Sequence, residues 1–96
     1  MPAIDEAALA AAWDAEMLLT CARERGLDRW AQFLASVPDQ LRDAGVGELR
    51  VVAQRVRAAY GPKDSIREAL PAQLTEPFLA DLDRLRKALA RDLAQR

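Results

Sequence analysis

Large apolar side chains recur at steps of three and four residues in four separate stretches of this 96-residue chain, and the stretches are punctuated by glycine and proline. That spacing returns side chains to one side of a helix, whereas a half-buried strand needs strict alternation. Composition agrees. Alanine, leucine, arginine and glutamate are abundant and are strong helix formers, while the β-branched residues that favour sheet are scarce. The expected fold is all-α, a small bundle of four main helices plus one or two short ones, in a single domain over residues 1–96.

The first helix is expected over residues 5–25. Asp5 and Glu6 suit the positive end of its dipole, and Gly26 is the residue that ends it. Leu9, Trp13, Met17 and Cys21 recur every four residues and read as its core stripe, with alanines over most of the remaining circumference. Asp28 reads as the N-cap of a second helix that turns Trp30, Phe33, Leu34 and Val37 inward until Pro38 breaks it, with a continuous kinked helix as the alternative. Ser36-x-x-Asp39 has the pattern of a capping box that starts a short helix. Gly45-Val46-Gly47 reads as a turn. A third helix over 48–60 aligns Leu49, Val52, Val56 and Tyr60, with a short strand at Leu49-Arg50-Val51 as the alternative. Gly61-Pro62 ends it. Ser65-x-x-Glu68 is a second capping-box pattern, and Pro71 stops the short helix that follows. Thr75 is expected to cap the last helix, whose stripe is Phe78, Leu82, Leu85, Leu89 and Leu93. Asp83–Lys87 and Asp92–Arg96 are expected as i,i+4 ion pairs.

The residue types exclude much chemistry. The chain has no histidine, so Ser–His, Cys–His and His–metal arrangements cannot form. Its single cysteine, Cys21, cannot make an internal disulfide and is expected to be a small buried hydrophobe. Asp14-x-Glu16 and Asp81-x-Asp83 hold paired carboxylates, but residues two apart on a helix do not face each other. No glycine-rich phosphate cradle is present. The expectation is therefore a protein that is not an enzyme and carries no cofactor and no metal. The net charge is −1, yet residues 1–48 carry −5 and residues 49–96 carry +4. Opposite halves can attract each other, while the overall balance argues against general phosphate-backbone binding. No apolar run is long enough for a membrane span, and the first residues do not resemble a signal peptide. The expected location is cytoplasmic.

The least ordinary segment is 60–70. Tyr60 is expected to pack its ring while its hydroxyl reaches solvent or a partner. Lys63, Ser65 and Arg67 lie within a few residues of it, as an anion site would require, although Asp64 and Glu68 oppose that charge. Arg57, Tyr60, Lys63, Ser65 and Arg67 are the candidate partner-binding residues. Trp30-Ala31-x-x-Leu34, followed by Tyr60-Gly61-x-x-x-Ser65-Ile66, resembles a group of small uncharacterised bacterial helical proteins and, through them, immunity proteins that bind and block a toxin. Where that group tends to have glycines, this chain has Pro62-Lys63-Asp64. The resemblance implies a partner protein and no reaction. The expected function is a non-enzymatic protein-interaction module of immunity or regulatory type, with an unidentified protein partner and a weak two-fold homodimer through the last helix. A small nucleic-acid-binding regulator using Arg50, Arg57, Lys63 and Arg67 is the alternative, opposed by an acidic pI of about 5.4.

Overall fold

The computed structural model describes residues 2–95, and among these there is no strand. Two long helices, α1 (Pro2–Glu24) and α6 (Ala72–Ala94), form the largest helix–helix contact. Two short ones, α2 (Asp28–Leu34) and α3 (Val37–Asp43), pack on α1. Next, α4 (Val46–Arg57) packs on α6 and tightens into a 3-10 turn at Ala58–Tyr60, and a single-turn α5 (Ile66–Ala69) leads back to α6. No helix among the described residues is long and apolar enough to cross a membrane.

The punctuation behaves as its chemistry dictates. Gly26 sits at φ 68°, in the left-handed region that glycine enters without a Cβ penalty. The Leu27 N–H donates to the Ala22 carbonyl and the Gly26 N–H to the Arg23 carbonyl, a Schellman pair that closes α1. The second helix stops at Leu34 and α3 restarts at Val37, with Pro38 in its first turn, where a missing N–H costs nothing. Neither capping-box pattern is realised. Ser36 and Ser65 both sit at N-caps, but neither makes a side-chain capping bond. Asp39 instead accepts from Arg42. Leu27, not Asp28, is the N-cap of α2, with Asp28 in the first turn. Gly47 lies inside α4, whose N-cap is Gly45. Thr75 does not cap α6. That helix begins at Ala72 behind Pro71, so Thr75 is fully buried within it and Pro77 is interior.

The core corrects the first helix most. Its buried side is Ile4, Ala8, Ala11, Ala15, Leu18 and Ala22, widened by Ala7, Ala12 and Leu19. Small side chains there let α6, α3 and α2 approach a central helix closely. Leu9, Trp13 and Met17, expected inside, are exposed at 57%, 66% and 44%. Cys21 is partly exposed as well. From α6, Phe78, Leu82, Leu85 and Leu89 are buried as expected, but Leu93 is exposed and Asp92 takes the inward position. There the Arg50 guanidinium lies 3.3 Å from the Asp92 carboxylate. Asp83 pairs with Arg57 and Arg86, each at 3.6 Å, rather than with Lys87. The expected partner of Asp92, Arg96, lies outside the described residues. Trp30 and Phe33 are half-buried, edge to face, with centroids 5.8 Å apart.

Candidate functional site

The segment singled out in the sequence is built into the fold. Tyr60 is 7% exposed, and its hydroxyl donates to the Thr75 carbonyl at 2.5 Å, tying the end of α4 to the first turns of α6. The Arg57 and Arg67 guanidinium groups lie over its ring, 5.8 and 5.3 Å from the centroid. Arg67 donates through Nε and Nη2 to the two Glu76 oxygens at 3.0 and 2.9 Å. That fork holds the Glu76 carboxyl below its usual range. Burial, followed by the Glu76 charge, pushes the Tyr60 phenol well above its ordinary value. The hydroxyl therefore does not reach solvent, which corrects the sequence expectation. Ser65 is buried, and α5 behind it has only four residues, too few to present a helix dipole to an anion. Lys63 is exposed and lines a different cleft with Trp30 and Phe33. The structure thus gathers Arg57, Tyr60 and Arg67 around Glu76 and Asp83, and it leaves Lys63 and Ser65 apart from them. Of the four cations of the nucleic-acid alternative, Arg50, Arg57 and Arg67 each have a carboxylate partner.

Sequence reasoning missed a second feature. Asp14 on α1 faces Asp81 on α6, so each carboxylate finds its partner across a helix pair and not two residues along the chain. Burial first, then the bond to and the charge of Asp81, raises the Asp14 carboxyl to about 7. Its Oδ2 is buried with no hydrogen-bond partner. The pair can keep a proton near neutral pH, but neither carboxylate lines the clefts described here. Among the described residues, no group of three or more metal-ligating side chains is arranged to hold a metal ion.

The third feature is the outer face of α1. Trp13, Met17, Thr20 and Cys21, with Leu74 from α6, line an open cleft of about 430 Å³ rimmed by Glu16 and Glu24. Leu9 continues the apolar surface one turn toward the N-terminus. Glu16 accepts from Arg42 at 2.7 Å, which fixes one edge of the cleft against α3. All the lining residues stand on the two longest helices, so the surface is preformed.

Compared with known proteins, the chain matches no family model, no curated protein and no solved structure.

Proposed function

We propose that this protein is a non-enzymatic protein-interaction module, of immunity or regulatory type, that engages its partner through the outer face of α1. One observation carries the reading. Trp13, with 66% of its surface exposed, stands beside exposed Leu9 and Met17 on a rigid helix. A tryptophan left in water loses most of the benefit of burial, about 25 cal/mol per Å² of apolar surface. Tryptophan is also the residue type most enriched among interface hot spots. Nothing in the local fold needs it there, since the buried side of α1 is built from Ile4, Leu18, Leu19 and six alanines. Tyr60, Arg57 and Arg67 act differently. Their groups brace α4, α5 and α6, and partner contact moves from that segment to α1.

The test is a comparison of two forms of the chain expressed in the native source. The parent should retain a stoichiometric protein partner, and Trp13→Ser/Met17→Ser should lose it while melting as the parent does. A partner kept equally by the folded variant would move the surface elsewhere. A parent chain that is monomeric and partnerless under all native conditions would refute the interaction reading.

A further inference from the structure

We infer that the partner segment received by the α1 face is a basic amphipathic helix, an inference that rests on the interaction reading above. Leu9, Trp13, Met17 and Cys21 form an unbroken i±4 ridge about 18 Å long on a helix rising about 1.5 Å per residue. Such a ridge is the element that interdigitates with the i±4 ridge of a second helix, at a crossing of about −50°. The cleft between this ridge and Leu74 gives one large apolar anchor of that helix a place to insert.

Charge selects the occupant. The same side of α1 carries Glu6, Glu16 and Glu24; Arg23 stands at its C-terminal end and Arg42 of α3 bonds Glu16, so the balance of these charges is negative by one. The rim of the cleft itself is Glu16 and Glu24. A second copy docked through this face would bring carboxylates against carboxylates, and an acidic helix would do the same. Lysine and arginine suit the position twice over, because their aliphatic stems lie along Trp13 and Met17 while the cationic ends reach the rim.

The probes are two synthetic helical peptides of equal length with leucines at i, i+3, i+4 and i+7, one carrying lysine and the other glutamate at its polar positions. Binding is followed by titration and by the rate at which a thiol reagent modifies Cys21, the single cysteine, which lies in the cleft. The lysine peptide should bind at least about ten-fold tighter at low salt, slow Cys21 modification, and lose its advantage as salt rises. Glu16→Gln/Glu24→Gln should erase the preference, and Trp13→Ser/Met17→Ser should abolish binding, with helical content checked by circular dichroism. Equal binding of both peptides, or lysine-peptide binding that leaves Cys21 fully reactive, overturns the inference. So does a chain that sediments as a dimer with Cys21 protected. If the native partner depends on Trp13 while neither peptide binds, the charge assignment falls and the interaction reading stands. If the native partner ignores Trp13 and Met17, the reading itself falls.

Discussion

Replacing Tyr60 by phenylalanine removes one oxygen and leaves a buried ring, so its cost isolates the bond from α4 to α6. The Thr75 carbonyl lies inside α6 and can still accept the intrahelical bond from Leu79, so no acceptor is orphaned. The loss should therefore be the net value of one hydrogen bond, about 1 kcal/mol. For a domain of this length that lowers Tm by roughly 4–8 °C. Tyr60→Ala also removes a ring that is 7% exposed, at about 3–5 kcal/mol. Set against a total stability of about 5–15 kcal/mol, that change brings the chain close to unfolding. Thermal and urea unfolding followed by circular dichroism would read both variants. A spectrophotometric titration would add an independent signal, because Tyr60 is the only tyrosine in the sequence and burial raises its phenol above the ordinary range. A Tyr60→Phe chain that melts with the parent, or a phenol that ionises normally in the folded protein, would refute the bracing role.

Two further outcomes follow from the same packing. Asp14 has an ordinary carboxyl pKa near 3.8 when unfolded and about 7 when folded, so the folded state binds the extra proton between those values. Its contribution to stability is present at the acid end and is lost as pH rises through about 7; Asp14→Asn should flatten that slope and exceed the parent in urea resistance at about pH 8, and a parent equally stable at about pH 5 and pH 8 would contradict the pairing. Gly26→Ala places a Cβ at φ 68° in open space, so the cost is backbone strain alone, roughly 1–2 kcal/mol by denaturant titration, and an unchanged midpoint would mean that α1 does not end as described.

The helices were legible because their ends depend on local chemistry. Gly26, Pro38, the Gly61-Pro62 pair and Pro71 act through φ and a missing N–H, whatever packs around them. The burial of α1 was harder to read because two apolar patterns overlap in one segment. The row Leu9–Trp13–Met17–Cys21 advances by four each time, and each step of four overshoots a full turn by about 40°. Such a row winds around the helix and cannot stay on one straight seam. Ile4, Ala8, Ala11, Ala15, Leu18 and Ala22 alternate steps of four and three, which holds them on the seam facing the bundle. Side-chain size pointed to the first row and period to the second, and period decides. The same alternation in α6 runs Phe78, Leu82, Leu85, Leu89 and then position 92, which is why Asp92 turns inward and Leu93 does not. The pairing of Asp14 with Asp81 had no local signal, because it depends on the register of α1 against α6. The role of Tyr60 was half legible: its burial follows from the α4 stripe, while the acceptor of its hydroxyl lies on another helix.

The shape of the molecule explains why the α1 face exists and why its composition carries meaning. The body measures 43 × 26 × 20 Å, about two helix diameters thick, so no helix in it can be covered on every side. Both long helices must turn part of their circumference to water, and they fill it differently. The exposed side of α6 carries Arg84, Lys87 and Arg91, residues that water solvates at little cost, with Leu93 as its one large exposed apolar side chain, near the C-terminal end. In the same circumstances α1 exposes Leu9, Trp13 and Met17. If that difference reflects a partner and not the fold, then truncating Trp13 should leave stability nearly intact, changing it by less than about 1 kcal/mol. Phe78→Ala, at a fully buried position of the facing helix, should cost about 3–5 kcal/mol in the same urea titration. A Trp13→Ala midpoint displaced as far as that of Phe78→Ala would place Trp13 in the structural core and remove the physical basis for a binding face on α1.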